Sequence, residues 1–168
     1  NPRTAGRAIP SGRLSPGAAR WALAASSAGF LVVCGLFGIL QDNWWPTILG
    51  VPVLVWICAY GLFKRFTWLC HLWLGASLGL SPIAAAIAVE PVALTAAPIW
   101  LLAGMVVCWV AGFDVIYALQ DVEVDRRDGL FSIPARFGSE GALRISHLLH
   151  AAALVFLTLV WWTEPGFG

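Results

Sequence analysis

Long apolar stretches alternate with short polar segments along the whole chain. Five stretches carry no Asp, Glu, Lys or Arg, and each is close to the roughly 20 residues that a helix needs to cross a bilayer. They run over residues 21–40, 44–63, 66–89, 91–113 and 145–163. The pattern predicts an all-α, polytopic transmembrane bundle with about five spans, forming a single membrane domain over residues 1–168.

The charges between the apolar stretches are sorted by sign. If the chain crosses the membrane at each stretch, all ten Lys and Arg residues fall on one side. The other side receives only Asp42, Glu90 and Glu164. The positive-inside rule assigns the basic side to the cytoplasm. We therefore expect a multi-pass protein of the cell inner (plasma) membrane, with any site among the polar segments facing the cytoplasm.

The composition excludes an ordinary soluble domain. Hydrophobic residues make up 60% of the chain and charged residues 11%, whereas charged residues are roughly a quarter of a soluble domain. Membrane lipid is therefore an expected partner, and a net charge of +1 gives no reason to expect nucleic acid. The four cysteines lie inside apolar stretches, which favours small apolar packing over a disulfide or metal framework.

Acidic residues recur at helical spacing directly after the fourth apolar stretch. Asp114, Asp121, Asp125 and Asp128 stand at positions i, i+7, i+11 and i+14. At about 100° per residue, a continuous helix places these four carboxylates within an arc of about 60°. Tyr117 lies near the edge of that arc. The spacing predicts a cytoplasmic segment, residues 114–128, with one face of carboxylates.

Such a face requires compensation, because like charges this close destabilise a helix. A divalent cation is one answer, and carboxylate oxygens with open positions for phosphate suit Mg²⁺. Arg3, Arg7, Lys64 and Arg65 on the same side suit phosphate groups. A diphosphate substrate that enters from lipid would be a polyprenyl diphosphate. A solvated acidic helix end and a topological or lipid-binding role for the basic residues remain alternatives.

The same segments resemble those of a known family. The sequence DVIYALQDVEVD at residues 114–125 resembles the second aspartate-rich motif of the UbiA-type membrane prenyltransferases, YDxxYAxxDxxxD. The tract GLFSIPARFG at residues 129–138 is similar to the one that follows that motif. Residues 2–12 and 60–67, the latter followed by Leu74-Gly75, resemble two further tracts of the family.

The resemblance implies a bundle of about nine helices around a cavity capped on the cytoplasmic side. Two aspartate-rich motifs there would hold Mg²⁺ against a prenyl diphosphate. The diphosphate leaves, and an aromatic carbon activated by a ring hydroxyl attacks the resulting cation-like carbon. The tract SIPARFG at residues 132–138 looks most like that of the bacterial 4-hydroxybenzoate branch, which implies a 4-hydroxybenzoate acceptor as in ubiquinone biosynthesis. A dihydroxynaphthoate acceptor, as for menaquinone, is the alternative.

The resemblance also implies a role for each site residue. Asp121 and Asp125 would be metal-associated, with Asp114 beside them. Tyr117 would line the cavity near the cation, where an aromatic face is favourable. The basic residues expected to contact the diphosphate, or the acidic group of the acceptor, are Arg3, Arg7, Lys64 and Arg65.

Two other functions are compatible with a polar end on a membrane bundle. A transporter or channel could use the carboxylates as a cation path, since acids within membrane segments often mark such paths. A structural membrane subunit would need none of them, so changing Asp114, Asp121 and Asp125 to Asn would have no effect. We interpret His71, His147 and His150 as structural or interfacial residues, because no carboxylate lies close to them in sequence.

We expect the isolated chain to be inactive as a prenyltransferase. By the resemblance, the first aspartate-rich motif would lie just before Asn1, so the chain holds one half of the metal ligands and is expected to be an internal piece of a longer protein. Incubating the purified 168-residue chain with an allylic diphosphate, an aromatic acid and Mg²⁺ tests this. No turnover is the expected result, and clear turnover would contradict it.

Overall fold

A computed structural model describes residues 2–164 of the chain, and the side chains of residues 3–164. This part of the chain is helical, without a β-strand among its residues. The α-helices are α1 (Pro16–Gln41), α2 (Trp45–Phe63), α3 (Cys70–Val89), α4 (Ala97–Ala118), α5 (Val122–Arg127) and α6 (Ile133–Thr163). Short 3-10 turns cover Pro2–Thr4, Pro91–Thr95 and Leu119–Asp121.

Five of the described helical segments are long and apolar enough to cross a membrane, which confirms the fold class and the number of spans. The fourth segment extends from Ala97 to Arg127 and consists of α4, the 3-10 turn Leu119–Asp121 and α5. The polar residues predicted to follow a span therefore come directly after α4, beyond a change in helical geometry.

The starts of three helices differ from the limits of the charge-free stretches. Helix α3 begins at Cys70, because residues 64–69 form a turn in which the Thr67 hydroxyl accepts the Leu69 N–H at 3.2 Å. Helix α4 begins at Ala97, after a 3-10 turn that starts at Pro91. Helix α6 begins at Ile133, well before the predicted residue 145. Hydropathy identifies the apolar part of a helix, whereas the turns before α3 and α4 and the Ser132 cap before α6 decide where each helix starts.

The chain divides into two compact units, Asn1–Leu54 and Val55–Gly168. The first unit is a helical hairpin made by α1 and the beginning of α2. The Trp44 ring lies directly against Gly38, where a Cβ would meet ring carbons at 2.5–2.7 Å. The Thr47 hydroxyl donates to the Cys34 carbonyl oxygen at 3.0 Å. A small residue and one polar contact thus join the two helices.

The second unit brings α3, α4 and α6 together through small residues. Gly75 and Gly79 of α3 face Val107 of α4, and a Cβ on Gly75 would strike the Val107 carbonyl oxygen. Gly112 of α4 faces the His150 ring of α6 at a similarly close approach. In lipid there is no hydrophobic driving force between helices, so close backbone packing of this kind stabilises their association.

An aromatic stack fixes the end of α2 against α3 within the second unit. The Trp73 ring lies 3.6 Å, centroid to centroid, from both the Trp56 and the Phe63 rings. The Trp73 indole N–H also donates to the Trp56 carbonyl oxygen at 3.0 Å. Phe63 is the last residue of α2, so the stack determines where Lys64 lies.

We predict that Gly75→Ala lowers the stability of the second unit. The added methyl group would press on the backbone of α4, and overpacking of this kind costs about 1–3 kcal/mol. The measurement is the apparent Tm of the detergent-solubilised protein. The control is Gly61→Ala in α2, since among the described residues nothing lies within 4 Å of its added Cβ. Equal Tm values for the two variants would contradict the role assigned to the α3–α4 contact.

Candidate functional site at the polar end of the second unit

Several helix ends of the second unit meet in one place. Lys64 follows α2, and His71 lies in the first turn of α3. Asp114 lies near the end of α4, and Asp125 lies in α5. The amide of Ile133 begins α6. The alternating crossings predicted from the charges bring these segments to the same end of the bundle, and the side chains do contact one another there.

Lys64 and Asp125 form the ion pair of this site. The Lys64 ammonium donates to both carboxylate oxygens of Asp125, at 2.9 and 2.8 Å. Asp125 is only 2% exposed, whereas 31% of the Lys64 side chain is accessible. The Phe131 N–H donates to the Lys64 carbonyl oxygen at 2.7 Å. A carboxylate buried to this extent needs a counter-charge, and Lys64 supplies it from an accessible position.

His71 and Asp114 form a second polar pair beside the first. His71 is 1% exposed, and its Nδ1 lies 2.7 Å from Asp114 Oδ2. The Ile133 N–H donates to His71 Nε2 at 3.3 Å. The Tyr60 hydroxyl also interacts with the Asp114 carboxylate. One imidazole therefore joins α3, α4 and α6.

The tract at residues 129–138 builds the turn that closes the site. Gly129 and Gly138 have φ values of 66° and 72°, which favour glycine. The Ser132 hydroxyl caps α6 by accepting the Ala135 N–H at 3.2 Å. Gly138, with ψ of 176°, kinks the helix. The tract is thus a turn, a cap and a kink, and it brings the Ile133 amide to His71.

The predicted single face of four carboxylates is wrong. Helix α4 ends at Ala118, and the 3-10 turn Leu119–Asp121 interrupts the helical repeat before α5. Asp125 turns inward to Lys64, whereas Asp128 is exposed and its pKa is lowered by a hydrogen bond from Arg127. Within residues 2–164, no group of three or more His, Cys, Asp or Glu side chains is arranged so that it could hold a metal ion.

An apolar groove opens directly beside Asp114. Its volume is about 550 Å³. A second cavity of about 360 Å³ shares Leu74, Leu78, Trp109 and Val110 with it and extends past Tyr60. The residues that line the first cavity are Leu74, Leu78, Trp109, Val110, Phe113, Asp114 and Tyr117. The groove is therefore apolar along its length and polar at one end.

The remaining predicted site residues differ in exposure and in the unit to which they belong. Tyr117 is 40% exposed at the mouth of the groove, and Asp121 is half-buried between the 3-10 turn and α5. Arg65 is exposed next to Lys64. Arg3 and Arg7 are exposed residues of the first unit, before α1. Their assignment to a diphosphate or to an acceptor stays a prediction.

Sequence reasoning missed the role of His71. Its partner Asp114 is 43 residues away along the chain, so proximity in sequence could not reveal the pair. A histidine in an otherwise charge-free stretch, seven residues after Lys64, was the available signal. Tyr60, whose hydroxyl interacts with Asp114, belongs to the tract 60–67 and carries no separate signal in the sequence.

Comparison with known proteins gives a consistent result along the whole chain. The sequence profile of the UbiA prenyltransferase family matches residues 1–168. A 4-hydroxybenzoate octaprenyltransferase of Enterobacter sp. (strain 638) is 32% identical over 94% of this chain and 52% of its own length. A lycopene elongase/hydratase of Corynebacterium glutamicum is 30% identical over 82% of this chain and 47% of its own length.

One solved structure shares the fold. The apo structure of a UbiA homolog from Aeropyrum pernix K1 superimposes with a TM-score of 0.82 at 37% sequence identity. The match covers 93% of this chain and 57% of that one. The chain spans about half the length of the relatives it matches. With the profile matched from end to end, the chain belongs to the UbiA prenyltransferase family.

Proposed function

We propose that the full-length protein transfers a polyprenyl group from polyprenyl diphosphate to an aromatic acid such as 4-hydroxybenzoate. The reaction would serve ubiquinone or menaquinone biosynthesis at the inner membrane, with the site facing the cytoplasm. The observation that carries the proposal is the groove, whose apolar walls end at Asp114 and Tyr117 beside the Lys64–Asp125 pair. A substrate with an apolar chain fits the groove, and its anionic head would need the Lys64 and Arg65 cations or a metal ion to offset the Asp114 carboxylate.

The groove would orient the prenyl chain more than it would attract it. Lipid tails are as apolar as the groove walls, so moving the chain from lipid to protein gains little hydrophobic free energy. The gain lies in placing the first prenyl carbon next to the polar end. A reacting carbon that is already held in place loses less entropy when the transition state forms.

The cations at the polar end suit the diphosphate head. Lys64 and Arg65 are adjacent, and the partly accessible Lys64 ammonium can contact phosphate oxygens. We propose Mg²⁺ as the cofactor, with Asp121 and Asp125 as ligands. Mg²⁺ commonly uses one or two carboxylates together with substrate phosphates, so two carboxylates suffice from this chain. Lys64 would then release at least one Asp125 oxygen.

The reaction exchanges one bond for another. The bond between the allylic carbon and the diphosphate oxygen breaks, and the electron pair leaves with the diphosphate. A ring carbon of the acceptor forms the new C–C bond, and the ring proton is lost. When bound, Mg²⁺ stabilises the charge of the leaving diphosphate. The Tyr117 ring would face the cationic carbon, and the apolar walls would exclude water.

The acceptor proposal rests on the named relatives. The Enterobacter relative is named for transfer of an octaprenyl group to 4-hydroxybenzoate, and the Corynebacterium relative is named for elongation of lycopene. The Enterobacter relative is similar over 94% of this chain and the Corynebacterium relative over 82%, whereas Lys64 and Arg65 would serve the diphosphate with either acceptor. We therefore favour an aromatic acid.

We predict that Asp121→Ala in the full-length protein lowers prenyl transfer by about 100-fold or more, because one charge-stabilising ligand is lost from the transition state. Product formation from an allylic diphosphate and 4-hydroxybenzoate, at saturating Mg²⁺, is the measurement. Cation flux through proteoliposomes is measured in parallel and should not change.

Glu123→Gln is the matched control for this experiment. Glu123 is an exposed acid of the same segment and has no assigned role, so the variant should keep its activity. A loss of cation flux in Asp121→Ala, with no prenyl transfer by the wild type, would favour a transporter. Full activity in Asp121→Ala would exclude the proposed role of this carboxylate.

A further inference from the structure

His71 is a buried polar side chain whose two ring nitrogens have different partners. Nδ1 faces Asp114 Oδ2 at 2.7 Å, and Nε2 faces the backbone N–H of Ile133 at 3.3 Å. A backbone N–H can only donate, so Nε2 must be the nitrogen without a proton. The proton then sits on Nδ1 and is donated to the Asp114 carboxylate. The Ile133 amide thereby fixes both the neutral state and the tautomer of His71.

The hydrogen bond from Ile133 shows what the structure requires of the side chain at position 71. The Ile133 N–H belongs to the first turn of α6, where backbone donors have no partner within the helix. Ser132 satisfies the Ala135 N–H, and His71 satisfies the Ile133 N–H from another helix. The imidazole is therefore held at one nitrogen by the backbone and directs the other nitrogen at a carboxylate.

Asp114 is the residue that this arrangement serves. Its carboxylate interacts with His71 and Tyr60 and lies at the polar end of the apolar groove beside Tyr117. Without the hydrogen bond from His71, the carboxylate could rotate away from the groove. The donor on His71 is fixed in direction, because the ring cannot turn over without losing the Ile133 hydrogen bond.

We infer that His71 is a positioning residue for prenyl transfer, which holds the Asp114 carboxylate in a fixed orientation at the mouth of the groove through a tautomer set by the Ile133 amide. The inference rests on the proposed function for the reaction itself. The hydrogen-bond arrangement stands on the structure alone.

Glutamine and leucine at position 71 separate orientation from bulk packing. In His71→Gln, the side-chain amide can donate to Asp114 while its carbonyl oxygen accepts the Ile133 N–H. His71→Leu introduces an apolar side chain of similar size, which has neither a hydrogen-bond donor nor an acceptor. In the full-length protein, His71→Leu should lower kcat per folded enzyme by about 10- to 100-fold, the value of a hydrogen bond to a charged group. His71→Gln should recover at least half of that loss on a logarithmic scale.

A double-mutant comparison tests whether His71 acts through Asp114. In an Asp114→Ala background, His71→Leu should cause no further loss of kcat, because the group that it orients is already gone. A merely structural role would lower the activity by the same factor in both backgrounds, and that outcome would overturn the inference. Failure of His71→Gln to recover any activity in folded protein would also overturn it.

Nitrogen NMR of labelled histidine gives a readout that does not depend on activity. The His71 signals, identified by their loss in His71→Gln, should show a protonated Nδ1 and an unprotonated Nε2. The opposite tautomer or a charged imidazolium would overturn the inference. If the tautomer is as expected but the wild type transfers no prenyl group, the proposed function fails while the hydrogen bonds remain.

Discussion

A carboxylate buried at the end of a membrane helix must find its counter-charge within the protein, and Asp125 finds it in Lys64. Both oxygens of this carboxylate accept hydrogen bonds from one ammonium, and the aspartate is almost wholly covered. The pair joins the end of α2 to α5 across 61 residues of sequence. A backbone hydrogen bond lies next to the pair, because the Lys64 carbonyl oxygen accepts the Phe131 N–H. The position of the turn before α6 follows from that contact.

Close packing of the apolar helices makes this polar end possible. Gly75 and Gly79 let α3 approach α4, and Gly112 lets α6 approach α4 from another side. Because the helices touch at the backbone, their ends are near enough for single hydrogen bonds to link them. His71 uses this closeness to contact α4 and α6 at once. The groove beside Asp114 is then an apolar surface that ends at a fixed polar group.

The sequence predicted the parts of the fold that depend on local composition. Charge-free stretches gave the number of spans, and the sorting of Lys and Arg gave the grouping of polar ends, because both properties are local. The GxxxG spacing of Gly75 and Gly79 is also a local signal for close helix packing. The resemblance at residues 114–125 identified the family, because the identities and spacing of several residues agree at once.

The pairing of the site residues could not be predicted in this way. The single carboxylate face requires a continuous α-helix across residues 114–128. The 3-10 turn Leu119–Asp121 changes the direction of every later side chain, and nothing in the spacing of the acids indicates it. Which cation meets Asp125, and which carboxylate meets His71, depends on tertiary contacts 61 and 43 residues apart. The roles of Gly129 and Gly138 depend on backbone angles that composition alone does not give.

The most direct measurement is a double-mutant cycle on Lys64 and Asp125, with the free energy of unfolding of the full-length protein as the readout. Lys64→Met leaves a buried carboxylate unpaired and should cost about 3–5 kcal/mol. Arg144→Met, which removes an exposed contact to Glu140, is the control and should cost less than about 1 kcal/mol. Adding Asp125→Asn to Lys64→Met should restore part of the lost stability, because no unpaired charge remains. Independent, additive losses in the double variant would contradict the account.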